Sequence, residues 1–141
     1  MKVREVMTKD PDCCTPESSL SEVARMMVRR DCGQIPVVEN RTSMRPVGVV
    51  TDRDIIVRTV AEGKNPLEMT ARQVMTSPAV TVTPDTKLED CCQTLEKNQV
   101  RRVPVIDEQG SCCGMVSQAD IAQHAPGKMT AEVVRTVSQQ V

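Results

Sequence analysis

The sequence contains no Phe, Tyr or Trp. A base therefore has no aromatic ring to stack on, and any nucleobase must be held by aliphatic side chains and backbone. The core is likewise left to Val, Ile, Leu, Met, Ala and Cys, and nine Met residues make it an adaptable one, because Met combines three rotatable bonds with a polarizable sulfur. A charge excess of either sign is also missing. Lys and Arg number 18 against 19 Asp and Glu, a net charge of -1 with a pI near 5.9, which argues against general nucleic-acid binding. No apolar run approaches the roughly 20 residues that span a bilayer. The opening Met1-Lys2-Val3-Arg4-Glu5 is not a signal peptide, so no membrane contact and a cytoplasmic location are expected. Catalytic triads, paired-acid motifs, P-loops and Rossmann glycine patterns are absent as well. The single histidine, His124, has no Ser or Cys pattern beside it, and no enzymatic activity is expected.

Cysteine, by contrast, is plentiful. There are seven, six of them in the adjacent pairs Cys13-Cys14, Cys91-Cys92 and Cys112-Cys113. Adjacent cysteines rarely bridge each other, and an odd count without a secretion signal argues against a disulfide framework. Neighbours on a strand point to opposite faces and make poor two-thiol clamps. No C-x-x-C spacing occurs, so the expected role is that of a small hydrophobe, with no metal site.

Two stretches carry the chemistry: Gly48-Val49-Val50-Thr51-Asp52-Arg53-Asp54 and Gly114-Met115-Val116-Ser117-Gln118-Ala119-Asp120. Each reads as glycine, two apolar residues, a hydroxyl, then a carboxylate three positions on. The apolar pair fits a buried strand and the hydroxyl the N-cap of a following helix. Thr51-x-x-Asp54 and Ser117-x-x-Asp120 match capping boxes, which need the same residue types at the same spacing as a binding motif would.

These stretches belong to a longer repeat. Val6-Met7-Thr8 recurs 68 residues on as Val74-Met75-Thr76, Thr15-Pro16 as Thr83-Pro84, and Ile35-Pro36-Val37-Val38 as Val103-Pro104-Val105-Ile106. The second hairpin turn is two residues shorter, so the glycine motif recurs after 66. This is a tandem duplication. Residues 1–60 form the first repeat, 61–71 a linker, 72–125 the second repeat and 126–141 a tail. In the first repeat Leu20, Val23, Ala24 and Met27 recur at helical spacing, behind Ser18 or Ser19 as cap. The two runs flanking the polar turn 39–45 predict an antiparallel hairpin. Ile55, Ile56, Thr59 and Val60 then predict a helix broken at Gly63-Lys64-Asn65-Pro66. In the tail Thr130, Val133, Val134 and Val137 predict an amphipathic helix. The copies differ: the first carries Arg53 where the second has Ala119, and the second carries Arg101 and Arg102 where the first has Gly33 and Gln34.

An α+β unit of order strand–helix–strand–strand–helix, present twice, resembles a tandem pair of CBS domains, a Bateman module. The residues that carry the resemblance are Val-Met-Thr at 6–8 and 74–76, the proline-valine strands at 35–38 and 103–106, and the Gly-x-x-[Thr/Ser]-x-x-Asp motif, over roughly residues 1–125. It implies two repeats packed sheet to sheet about a pseudo-two-fold axis, with clefts that take an adenosine compound: AMP, ADP, ATP or S-adenosylmethionine. On that pattern Asp54, Asp120, Thr51 and Ser117 would hold the ribose. Thr8, Cys13, Thr76, Ala79, Val80, Val50 and Val116 would line the adenine pocket, and Arg53, Arg101 and Arg102 would meet phosphates. A cleft would draw its Asp from one repeat and the segment after Val-Met-Thr from the other. The resemblance further implies a homodimer and an effector protein that receives the signal. The alternative is a ligand-free interaction module, and a thiol or metal sensor stands behind both.

Overall fold

The computed structural model describes residues 1–124, and the tail helix expected within 126–141 lies outside them. The elements in order are β1 (Thr8–Lys9), α1 (Leu20–Arg30), β2 (Gln34–Val38), β3 (Pro46–Thr51), α2 (Asp52–Arg58), α3 (Ala71–Val74), α4 (Leu88–Asn98), β4 (Arg102–Ile106), β5 (Cys112–Ser117) and α5 (Gln118–His124). Short 3-10 turns precede β1 and occupy Val60–Glu62 and Pro66–Glu68. The fold is α+β with antiparallel sheets, as the repeat pattern predicts.

Local chemistry explains most boundaries. The Ser19 hydroxyl accepts the Glu22 N–H and starts α1, and Asp31, at a positive φ of 50°, ends it. β2 and β3 form the expected hairpin, with Ile35 opposite Val50 and Pro36 opposite Val49. A proline is tolerated here because the sheet has only two strands, so β2 is an edge. β4 and β5 repeat the arrangement, with Val103 opposite Val116. Cys14 makes a single parallel bridge to Val37, and Val82 bridges Val105 in the same way. α2 stops at Arg58, sooner than its apolar spacing predicts. Thr59 is fully buried and turns its hydroxyl back onto the Ile55 carbonyl, 2.5 Å away.

The buried face of α1 differs from the expected stripe at Ala24. Leu20, Val23 and Met26 are buried on α1, with Met27 packed beside them, while Ala24 is exposed. At 100° per residue those four sit on one arc, and Ala24 falls about 100° from its centre. On α4 the stripe is Leu88, Cys91, Cys92 and Leu95, so Cys92 is buried where its counterpart Ala24 is not.

The chain divides into two compact units, and they do not follow the repeats. One unit spans Asp12–Ala79, the other Met1–Pro11 together with the chain from Val80 onward. We name them after the aspartates they contain, Asp54 and Asp120. The Asp54 unit buries Cys14, Leu20, Val23, Ile35, Val37 and Val50 together with Met69, Ala71 and Val74, which precede or open the second repeat. The Asp120 unit buries Leu88, Cys91, Leu95, Val103, Val105 and Ile121 with Val3 and Val6 from the start of the first. Each core is thus completed by the leading segment of the other repeat. In the Asp54 unit Leu20 N–H donates to Met69 O at 3.0 Å and Ala71 N–H to Ser18 O at 2.9 Å, fixing that exchange through backbone. Among the described residues no helix is long and apolar enough to cross a membrane.

Candidate functional site

Both motifs fold as reciprocal capping boxes. Asp54 N–H donates to Thr51 Oγ1 at 2.9 Å, and Thr51 N–H donates to Asp54 Oδ2 at 3.0 Å. In the other unit Asp120 N–H donates to Ser117 Oγ at 3.1 Å and Ser117 N–H to Asp120 Oδ2 at 2.9 Å. The capping reading and the binding reading are compatible, because a carboxylate has about four acceptor positions and the box uses one of them. Acceptor positions beyond the box therefore remain on both carboxylates.

The exchanged segments bring the Val-Met-Thr threonines onto these strands. Thr76 N–H donates to Val49 O and Val49 N–H to Thr76 O, both at 2.9 Å. This places the Thr76 hydroxyl 3.3 Å from Asp54 Oδ1 and 3.4 Å from Oδ2. β1 lies on β5 in the same way, with Thr8 opposite Met115 and Lys9 opposite Gly114. Glycine makes the approach possible: a Cβ on Gly48 would stand 2.7 Å from the Thr76 carbonyl oxygen, and one on Gly114 2.9 Å from that of Thr8.

The remaining candidates divide between the units. Asp54, Thr51, Val50, Arg53, Cys13, Thr76 and Ala79 share one; Asp120, Ser117, Val116, Arg101, Arg102, Thr8 and Val80 share the other. Thr76, Thr8, Arg53 and Arg101 are exposed, and Ala79, Val80 and Arg102 are half-buried. Val50 and Val116 are fully buried, each in the apolar core of its unit. Cys13 is buried too, and its carbonyl accepts from Arg41 at 2.6 Å.

Two residues beside Asp54 did not stand out in the sequence. Arg58 donates to the Val74 and Met75 carbonyls at 2.7 and 2.9 Å and lies 3.9 Å from Asp54 Oδ1. Its spacing of four residues from Asp54 was the available signal. Gln34 stands directly opposite Thr51 in the hairpin, as Arg102 stands opposite Ser117.

Three of the cysteines are disfavoured as thiolates. Burial pushes the Cys14 and Cys91 thiols up to about 12, and Cys113 is raised in the same direction, chiefly by burial. The thiolate is the reactive form. At pH 8 a thiol-specific reagent should therefore leave Cys14 and Cys91 unlabelled in the folded protein and label them in denaturant; rapid native labelling at either position would contradict this burial. Among the described residues no three His, Cys, Asp or Glu side chains form a group able to hold a metal ion.

Comparison with known proteins agrees with this architecture. The CBS domain family matches residues 3–60 and again 71–127. An uncharacterized protein of Methanopyrus kandleri, MK0525, is 31% identical over 89% of this chain, which spans 63% of that protein's length. Hypoxic response protein 1 of Mycobacterium tuberculosis is 30% identical, with 95% of this chain and 92% of the relative covered. The crystal structure of Hypoxic Response Protein I with two coordinated zinc ions superposes with a TM-score of 0.79 at 31% identity, covering 89% of this chain and all (100%) of that one. The CBS domain pair of protein MJ0100, in complex with 5'-methylthioadenosine and S-adenosyl-L-methionine, gives a TM-score of 0.75 at 25% identity, covering 91% of this chain and 98% of that one. With both repeats matched and nearly the whole described chain covered, this protein belongs to the CBS-domain family as a tandem CBS pair.

Proposed function

We propose that the protein is a non-enzymatic regulatory module that binds an adenosine compound in each unit and passes the signal to a partner protein in the cytoplasm. One observation carries this reading. In both units a carboxylate anchored by one oxygen opens the helix that follows the strand onto which the other repeat lays its Val-Met-Thr segment, and in the Asp54 unit this brings Asp54 and Thr76 together. A fixed carboxylate accepts from two neighbouring ribose hydroxyls, and charge-assisted bonds of this kind are among the stronger ones. Thr51 and Ser117 hold the carboxylates in place. Ala79, Val80 and the backbone around Thr76 and Thr8 offer the adenine its aliphatic walls, with Val50, Val116 and Cys13 packed beneath. Arg101 and Arg102 in one unit, and Arg53 in the other, are the donors for phosphate. The adenosyl ligands of the MJ0100 pair support the ligand class. Ligand would act by favouring one arrangement of the protein over another.

Calorimetry with AMP, ADP, ATP and S-adenosylmethionine tests the reading. Binding of at least one is expected, with a melting temperature that rises with ligand concentration, since occupancy at a hundred times Kd stabilises by about 2.7 kcal/mol. Asp54→Ala and Asp120→Ala should each weaken one site roughly ten- to hundredfold. Silence with all four compounds would overturn it.

A second reading, a homodimerising interaction module, rests on different residues. Ile56, Val57 and Val60 are 57%, 43% and 56% exposed, large apolar side chains at helical spacing on and just after α2. Sedimentation of wild type against Ile56→Asp separates the two. An Ile56-dependent dimer combined with no adenosine binding would favour this second reading. Hypoxic Response Protein I coordinates two zinc ions, and among the described residues here no three His, Cys, Asp or Glu side chains form a group able to hold one.

A further inference from the structure

We propose that Arg58 is the positioning residue of the Asp54 site: it closes the C-terminal end of α3, holds the Val-Met-Thr segment down and so keeps Thr76 against Asp54. The inference rests on the adenosine-binding reading above and deepens it. α3 is a single turn, Ala71–Val74, with Met75 as its C-cap. The last carbonyls of a helix have no partner within it, and a nearby arginine can satisfy them. One Arg58 nitrogen, Nη1, donates to Val74 O at 2.7 Å and to Met75 O at 2.9 Å. Thr76 follows directly. Its backbone pairs with Val49 in both directions, and its hydroxyl lies 3.3 Å from Asp54 Oδ1. The other terminal nitrogen, Nη2, stands 3.9 Å from the same Oδ1. One side chain at the end of α2 thus links the carboxylate in the first turn of that helix to the segment supplied by the other repeat. Arginine suits the place because its planar fork holds five donors in fixed directions, so Nη2 faces the carboxylate while Nη1 serves the carbonyls.

The Asp120 unit does not repeat this arrangement. The offset of 66 that carries Asp54 onto Asp120 carries Arg58 onto His124, the last residue of α5 and the single histidine of the chain. The counterparts of Val74 and Met75 there are Val6 and Met7. His124 is exposed, and among the described residues it makes no hydrogen bond to either of their carbonyls. An imidazole is shorter than an arginine side chain and carries at most two donors, so it does not span a pair of carbonyls and a carboxylate together. The two sites therefore differ in how firmly the incoming segment is held. The Asp54 site is fixed by a side chain before ligand arrives, and the Asp120 site relies on backbone pairing and apolar burial of Val3 and Val6.

Arg58→Met, which keeps an apolar stem and removes the donors, tests this in two ways. In ligand-free protein the Thr76 and Val49 amides should exchange roughly tenfold faster, while the Val23 amide inside α1 keeps its protection. Arg58→Lys, which restores a cation with donors, should recover part of that loss. In Asp120→Ala, which keeps the Asp54 site, Arg58→Met should weaken AMP and uncharged 5'-methylthioadenosine by the same factor, roughly tenfold, because the residue acts through Thr76 and Asp54. In Asp54→Ala, which keeps the Asp120 site, His124→Met should move neither compound. Unchanged Thr76 exchange in Arg58→Met overturns the inference. So does a loss confined to AMP, which would make Arg58 a direct phosphate contact, or a His124→Met loss as large as that of Arg58→Met. In each of these cases the adenosine-binding reading stands. If neither compound binds wild type, that reading falls and takes the positioning role with it.

Discussion

Gly48→Ala should lower the melting temperature by roughly 6–12 °C, from a loss of about 3 kcal/mol. A methyl group there stands 2.7 Å from the Thr76 carbonyl oxygen, 3.3 Å from Met75 Sδ and 3.4 Å from Ser77 Cβ. The nearest atom is backbone, so it cannot swing aside as a side chain would. The segment must lift, and both 2.9 Å bonds between Val49 and Thr76 lengthen or break. Thr76 then leaves Asp54, and under the proposed function the Asp54 site weakens while the Asp120 site does not. Gly114→Ala should cost less, because its nearest contacts are 2.9 Å away and one of them is the flexible end of Met7. Amide exchange provides the check. If the Thr76 and Val49 amides of Gly48→Ala stay as protected as in wild type, with an unchanged melting temperature, the close-approach argument is wrong.

Leu95→Ala should cost about 3–4 kcal/mol in denaturant unfolding, and more than Leu20→Ala. Both leucines are buried on the long helix of their unit, Leu95 at 0% and Leu20 at 2% exposure, although the repeat offset pairs Leu20 with Leu88 and Leu95 with Met27. Their surroundings differ. No methionine is among the fully enclosed members of the cluster around Leu95, which is built mainly of Val and Cys with Val3 and Val6 closing it. β-branched side chains have few rotamers and fill a void poorly. The cluster around Leu20 contains Met26 and Met69, with Met27 and Met75 packed against it. These unbranched side chains can relax into the space left by a leucine, and the cost of a cavity falls as the site collapses. Equal losses at the two positions, or a loss below about 1 kcal/mol at Leu95, would remove the distinction.

Much of the fold could be read from residue order. The duplication, the two hairpins and the capping boxes at Thr51–Asp54 and Ser117–Asp120 are local patterns, and local patterns survive folding when packing does not oppose them. The exchange of leading segments was not legible in the same way. A repeat offset shows that Val3 and Val6 correspond to Ala71 and Val74; it does not show on which copy each pair packs. The site was legible to a similar depth. Asp54 and Thr76 were both candidates, and they meet through Thr76 and Val49 backbone bonds that no side-chain pattern encodes. Gln34 entered the sequence reading only as the counterpart of Arg102, with nothing to mark it as buried. Its burial comes from tertiary packing, and propensity carries no information about that. Ala24 went the other way, since an alanine fits a buried stripe or a wet face equally well.

The traded leading segments also bear on what a half-length ancestor would have required. A chain with one repeat has a glycine-bearing strand without a Val-Met-Thr segment to lie on it, and such a segment without a strand. Two copies of that chain, each lending its first residues to the other, would build both units found here, which is the logic of a domain-swapped dimer. Residues 61–71 then do more than join two modules, because Met69 and Ala71 are already core. Joining the two copies converts a concentration-dependent association into a fixed, always-available one.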